Sequence, residues 1–462
     1  MLSLSYIISR GCFDMGFSKD FIWGAATASY QIEGAYNEDG KGLNVWDAYA
    51  SDGTHIKFKE NGNVACDHYH RVKEDVALMK EIGIRAYRFS ISWTRIYPEG
   101  IGRINEKGLK FYSDLVDELL ANDIIPMVTL YHWDYPLALH DRGGWLNPDS
   151  SEWFLEYTKT VVDCLSDRVS YWMTINEPQC EIGCGHLDGV HAPFEKHNAR
   201  DLLIMGRNVL LSHGKAADYI RNHAKTPAKI GYAPTGPSAI PADESPEAIE
   251  AARQKTFWCE GIVFPYSTAY WSDPIFLGKY PDSLIKEFGD LVPEFTDDEW
   301  KLVTTPLDFY GTNIYYANES EKRGEYSDIY FQGKMSTNIG WPLTPEVLYW
   351  APRFLYERYG LPVMITENGM ASHDWVCVDG KVHDSYRIDY LTRYLRAYKK
   401  AADEGIPLLG YIQWSLMDNY EWSHGYTQRF GMIYVDYPTQ KRTIKDSGYW
   451  YGKVIETNGE AL

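Results

Sequence analysis

Ser170-Tyr171-Trp172-Met173-Thr174-Ile175-Asn176-Glu177-Pro178 is a short apolar run that turns polar at its end and is closed by a proline. Such a run reads as a strand buried on both faces, the kind found in parallel sheets. Seven more runs repeat the pattern: Phe21–Gly34, Ala86–Ile96, Ile124–Trp133, Ala228–Pro234, Asp308–Tyr316, Pro362–Gly369 and Leu408–Leu416. Amphipathic segments separate them. Val72, Val76, Met79 and Ile82 recur at helical spacing and stop at Gly83, and Ile388, Leu391, Leu395 and Tyr398 do so ahead of Gly405. Leu115, Val116, Leu119 and Leu120 form a third stripe, and all three stripes are read as core packing. Strands alternating with helices imply parallel pairing through crossover helices. Eight of them imply an α/β fold closed into a single (β/α)8 TIM barrel, with its functional groups at the C-terminal face of the strands. An open dinucleotide-binding sheet would need a Gly-rich turn after the first strand, and neither GxGxxG nor GxxxxGK[ST] occurs.

By length alone, 462 residues would suit two or three domains, yet no low-complexity linker or charge block divides the chain. Residues 17–462 are therefore read as one barrel domain. Residues 1–16 are read as an N-terminal extension, disordered or preceding an internal start at Met15. With 45 basic and 64 acidic residues the net charge is −19, which repels phosphate backbones and anionic lipid. Nucleic-acid and membrane partners are thus not expected, and a small neutral or cationic ligand is. No stretch approaches the length of a membrane span. The 16 Trp and 36 Tyr offer flat rings that suit sugar faces, although a Tyr-rich core and surface meets the composition more simply. Seven scattered cysteines include no CxxC, and Cys180 with Cys184 lacks a second pair at zinc spacing. Reduced thiols in a cytoplasmic protein fit this usage.

Polar and aromatic groups crowd the ends of the proposed strands: Gln31, Trp93, His132, Asn176, Glu177, Asn313, Tyr315, Glu367 and Trp414. Two segments stand out, Thr-Ile-Asn-Glu-Pro at 174–178 and Ile-Thr-Glu-Asn-Gly at 365–369. Each sets a Glu at the rim of a barrel core, where a carboxylate is costly unless it is used or compensated. A single such Glu could cap a helix or pair with an Arg. Two of them, on strands four and seven, face one another across the barrel mouth. Glycoside hydrolysis requires such a pair, one to protonate the leaving oxygen and one to trap or stabilise the oxocarbenium-like centre.

From about Phe17 to Ile455 the sequence resembles glycoside hydrolase family 1, the β-glucosidase family. The segments that carry the resemblance are FIWGAATASYQIEGA, YRFSISWTRIYPEG, LYHWDYP, TINEP, TNIYY, ITENG and YIQWSLMDNYEWSHGYTQRFG. The resemblance implies a retaining β-glycosidase that acts on terminal nonreducing β-D-glucosyl residues, or on galactosyl or fucosyl ones, through a covalent glycosyl-enzyme. It makes Glu177 the acid/base and Glu367 the nucleophile. It gives Gln31, His132, Asn176, Glu421 and Trp422 to the sugar hydroxyls and sets Trp414 beneath the ring. Arg88 and Tyr315 then hold the nucleophile, with Asn313 supporting the same site. Phe430 lines the wall near the primary alcohol, and Trp341 borders the leaving-group site. Gln179, Tyr135, Leu137 and Phe194 depart from the usual pattern, and Gln179 is expected to loosen the leaving-group site.

Chemistry supports the two main roles independently. Arg88 near Glu367 favours the ionised form a nucleophile needs, and Glu177, beside that charge in a dry pocket, is pushed toward an acid's working range. No cofactor and no metal is expected, since two carboxylates suffice. The expected partner is a small β-glycoside, cellobiose included, or a short oligosaccharide; oligomerisation is compatible with the sequence and not specified by it. A sugar-binding receptor on a dead barrel would lack one carboxylate, and the thioglucosidase variant carries Gln at the acid/base position. A 6-phospho-β-glycosidase is the rival reading, opposed by Glu421, whose charge would repel a phosphate. A transglycosidase would share the same double displacement.

Overall fold

The computed structural model describes residues 16–50, 54–236, 238–319 and 335–462. All of the expected N-terminal extension but Gly16, with Cys12 and the start at Met15, lies outside the described residues.

Eight parallel strands close into a barrel: β1 (Ile22–Ala26), β2 (Ala86–Ser90), β3 (Ile125–Tyr131), β4 (Tyr171–Asn176), β5 (Lys229–Ala233), β6 (Phe309–Asn313), β7 (Val363–Asn368) and β8 (Leu408–Trp414). They follow one another around the ring, and β8 returns to β1, pairing Ile22 with Gly410 and Ala26 with Trp414. Crossover helices α1 (His68–Ile82), α2 (Glu106–Ala121), α3 (Ser150–Leu165), α4 (Ala199–His223), α5 (Val347–Tyr359) and α6 (Ser385–Asp403), with α7 (Asp446–Glu456) after the last strand, surround it, and several short helices bridge β5 to β6. No helix among the described residues is long and apolar enough to cross a membrane.

The expected helical stripes do the packing. Val76, Met79 and Ile82 are buried on α1, and Leu391, Leu395 and Tyr398 on α6. Each such side chain contributes roughly 1.5–3 kcal/mol by leaving water. Gly83 ends α1 at φ 92, a conformation that only glycine adopts freely. One residue departs from expectation: Leu120 is 41% exposed, whereas Leu115, Val116 and Leu119 are buried. A further 100° turn past Leu119 carries it off the buried arc.

The first two runs are also shorter as strands than the sequence suggests. After β1 the chain turns into a helix over Ser29–Ile32, and after β2 into one over Trp93–Ile96. The Ser29 N–H donates to Ser90 Oγ at 2.8 Å, and Gln31 N–H closes a turn onto Ala28 O at 3.1 Å. Gln31 therefore reaches the barrel mouth from a helical turn. Two small two-stranded sheets, Ala239–Ile240 with Asn318–Glu319 and Ile433–Asp436 with Lys441–Ile444, lie outside the barrel.

Candidate active site

The C-terminal rim of the barrel gathers buried polar side chains from four strands around Asn176, the last residue of β4. Asn176 Oδ1 accepts from Arg88 Nη2 on β2 at 2.6 Å and from Asn313 Nδ2 on β6 at 2.9 Å. Those donors fix the amide's orientation, so Nδ2 is the atom 3.0 Å from His132 Nε2. Nε2 must accept there, which leaves the ring proton on Nδ1. Burial, with the Arg88 charge, holds His132 well below the usual imidazole range, so the ring is neutral. Trp133 Nε1 donates to the Asn176 carbonyl at 3.0 Å.

Arg88 spends its remaining donors in the same place. Nε bonds Thr129 Oγ1 at 3.0 Å, and Nη1 bonds the Thr366 carbonyl at 3.1 Å and Glu367 Oε1 at 2.5 Å. Tyr315 donates its hydroxyl to Glu367 Oε2 at 2.8 Å. Its own pKa is pushed well above the ordinary phenol value, first by burial and then by Glu367, so it remains a donor. Each oxygen of Glu367 thus has a donor. Two residues on, a Cβ at Gly369 would fall 1.6 Å from the Trp414 carbonyl oxygen, so glycine is the residue that lets β7 end against β8.

Glu177 is held differently. Its backbone lies in the left-handed region at φ 40, with its N–H donating to Ala233 O at 2.8 Å. A non-glycine residue there costs about 1–2 kcal/mol, tolerated where the surroundings dictate it. Oε1 accepts from Asn313 Nδ2 at 2.6 Å and Oε2 from the Cys180 thiol at 3.1 Å. No lysine or arginine among the described residues hydrogen-bonds to it. The sequence assigns Asn313 to the nucleophile; it does help hold the Glu367 charge, and its short bond goes to Glu177 as well, because its place at the end of β6 faces the end of β4.

Burial raises the pKa of both carboxyls. For Glu367, Arg88, Tyr315 and Asn313 pull the other way. For Glu177 the charge of Glu367 adds to burial, against the weaker help of Asn313 and Cys180. Hydrogen bonding to the charged form therefore favours ionised Glu367, while burial and the Glu367 charge favour protonated Glu177.

Glu421 is a third buried carboxyl, pushed up to about 8 by burial and then by Glu367 and Glu177, with the Gln31 amide pulling the other way. Its charge is therefore costlier here than the sequence reading, which takes it as ionised, supposes. Its loop is fixed by Asp418, which lies 2.6 Å from Arg429 Nη1 and 2.7 Å from Lys445 Nζ. Gln31 Nε2 donates to Tyr420 O at 2.8 Å and Asn419 Oδ1 at 3.1 Å, and lies 3.4 Å from Glu421 Oε2. Gln31 Oε1, buried, has no partner. A hydroxyl that donated to it would remove a penalty of about 1–3 kcal/mol.

Aromatic rings form two walls. His132 lies 5.8 Å from Trp414 and 5.9 Å from Trp422, near parallel to both, and Trp422 packs 4.6 Å from Trp133 and from Trp46. Tyr315, Trp341 and Phe430 form a second cluster, with Trp341 4.9 Å from Tyr315 and 5.9 Å from Phe430. These contacts bring together the site residues read from the sequence, whereas Trp93 stands apart in the core, stacked on Tyr157 at 5.0 Å with Nε1 donating to Gly100 O at 2.8 Å. Cys180, Trp133 and Thr366 were not singled out; Cys180 stands three residues after Glu177, one helical turn, which was the signal available.

Three of the four departing residues have structural explanations, and Leu137, the first residue of a short helix to His140, has none. Gln179 is buried, its amide bonded to Thr235 O while its Oε1 accepts from Thr235 N, so it clamps the end of β5 rather than loosening a subsite. Tyr135 is core, 4.9 Å from Trp145. Phe194 sits at φ 62, a backbone region that favours glycine, and stacks on His55 at 4.1 Å.

Residues 14–460 match the model of the family described as glycosyl hydrolase family 1. The chain is 44% identical to β-glucosidase A of Acetivibrio thermocellus over 96% of this chain and 99% of that one. A solved β-glucosidase from Thermotoga maritima in complex with deoxynojirimycin superposes with a TM-score of 0.88 at 41% identity, covering 96% of this chain and 99% of that one. An aryl-phospho-β-D-glucosidase of Bacillus subtilis is 38% identical over 96% of this chain and 98% of its own length.

Proposed function

Because this chain belongs to glycosyl hydrolase family 1, we propose that it is a retaining β-glucosidase in which Glu367 is the nucleophile and Glu177 the acid/base. The observation that carries the reading is the asymmetry between the two carboxyls: Glu367 is bonded by Arg88 and Tyr315, Glu177 by an amide and a thiol. In the first step Glu367 attacks the anomeric carbon while Glu177 gives its proton to the departing oxygen. Forming the ester removes the Glu367 charge that raises Glu177. Glu177 then becomes the weaker proton holder, suited to take a proton from the water that hydrolyses the ester. Proton NMR of p-nitrophenyl β-glucoside hydrolysis tests this: β-glucose must appear first, and α-glucose first would overturn it.

Gln31, His132, Asn176, Glu421, Trp414 and Trp422 bind the terminal sugar in this reading, supported by the orphaned Gln31 oxygen and the near-parallel rings. Tyr315, Trp341 and Phe430 border its other side. Short β-glucosides such as cellobiose are the substrates. A plain glucoside is favoured over a 6-phosphate because Glu421, Glu177 and Glu367 share one pocket, and their mutual influence disfavours a further anion. Residues 17–462 act as one catalytic unit. The six cysteines among the described residues are free thiols, which supports a cytoplasmic location.

A further inference from the structure

Beyond the barrel mouth, the segment after β4 brings imidazoles and a carboxylate together. His186 lies on the π-helix Cys180–Asp188, and Glu195 and His197 on the loop before α4. The Glu195 N–H donates to Gly185 O at 3.0 Å and the His197 N–H to His186 O at 2.8 Å, so backbone pairing holds the three side chains side by side. Their ligand-capable atoms all lie within 4.8 Å of one another. His197 Nε2 is 2.8 Å and His186 Nδ1 3.3 Å from Glu195 Oε2, while His140 Nε2 faces Glu195 Oε1 at 3.4 Å. Despite that proximity His186 Nδ1, buried, has no hydrogen-bond partner. A buried ring nitrogen held only by a 3.3 Å contact to a carboxylate that forms no aligned hydrogen bond, with a second imidazole on the same oxygen, points to a ligand that accepts lone pairs.

We propose that His186, Glu195 and His197 bind one zinc ion, outside the catalytic pocket and independently of the hydrolytic reaction. Two imidazoles and a carboxylate are a zinc donor set, and bonds of about 2.1 Å in a tetrahedron place donor atoms about 3.4 Å apart. The His186–Glu195 spacing already matches, and the His197–Glu195 contact needs a small opening. His140 or a water completes the shell. Asp201 Oδ2, 3.5 Å from His197 Nδ1, stands where an outer carboxylate orients a metal-bound imidazole. The same loop carries His191, 5.4 Å from Trp133 and 6.4 Å from Trp422, so the ion braces the segment behind the sugar-facing rings.

Calorimetric titration of the metal-stripped protein with zinc chloride, and absorption spectra with cobalt(II) in its place, test the site. One ion should bind per chain, with a visible cobalt band and no thiolate charge-transfer band. His197→Ala and Glu195→Gln should each weaken binding at least about tenfold, and Asp201→Asn by about 10–100-fold. Zinc should raise the Tm of the unmodified protein and not that of His197→Ala. Unchanged affinity in both ligand variants, a thiolate band, or no binding would overturn the proposal. Glu195→Gln, which keeps size and shape, carries the test if His197→Ala fails to fold.

Discussion

Arg88 Nη1 meets Glu367 Oε1 at 2.5 Å while Arg88 Nη2 meets Asn176 Oδ1 at 2.6 Å, so one guanidinium serves the nucleophile and the group beside the acid. The planar fork makes both bonds at once, which a lysine cannot do.

Arg88→Lys should therefore cut kcat/KM by about 10²-fold or more and move the acid limb of the pH–rate profile upward. The sign follows from Glu367 needing to be ionised: Arg88 lowers its pKa, and weakening that contact raises it. A pH profile of the variant with an unmoved acid limb would contradict the role given to this pair.

Glu367→Gly should remain folded and lose activity on the order of 10⁴-fold or more, as nucleophile removal does elsewhere. Azide should restore turnover and give the α-glucosyl azide, because the small anion attacks from the vacated side. Near-normal hydrolysis without azide would end the assignment.

Glu177→Ala should slow substrates with poor leaving groups by about 10²–10⁴-fold and dinitrophenyl glucosides much less. Equal losses on both would reject Glu177 as the acid.

Cys180→Ala addresses the thiol bonded to Glu177. That bond stabilises the charged form and lowers the Glu177 pKa. Its loss should move the alkaline limb to higher pH, since the acid keeps its proton longer. A limb that stays in place, or falls, would show that the thiol contact does not tune the acid.

Glu421→Ser should narrow the preference for p-nitrophenyl β-glucoside over its 6-phosphate, mainly by impairing the plain substrate. In the unmodified enzyme that preference should be at least about 10²-fold, some 3 kcal/mol. Values of kcat/KM for both substrates decide it, and a preference for the phosphate would overturn the substrate reading.

Strand number, barrel closure and both carboxylates were legible in the sequence because buried parallel strands leave uninterrupted apolar runs whose polar ends mark one face. The short turns at Ser29–Ile32 and Trp93–Ile96 were not, since an apolar run buried all round looks alike as strand or helix. Gln179 and Phe194 were visible as departures, yet their explanations are tertiary: a clamp onto Thr235 and a left-handed backbone. The Asn313 bond to Glu177 joins the ends of β6 and β4 across β5, a proximity that only the closed ring creates. The His186–Glu195–His197 group has no familiar ligand spacing, because loop pairing and not helical repeat brings it together.

Asn176 joins β2, β4 and β6 through one amide, and Arg88 extends that junction to β7. The strands that must assemble to close the ring are the strands whose ends compose the reactive constellation, so the two cannot come apart separately. Hydrogen exchange at these rim groups should proceed only through whole-molecule opening, with protection as high as that of the deepest amides. Thermal inactivation should accordingly coincide with the loss of global structure, without a preceding phase in which a folded protein has gone silent.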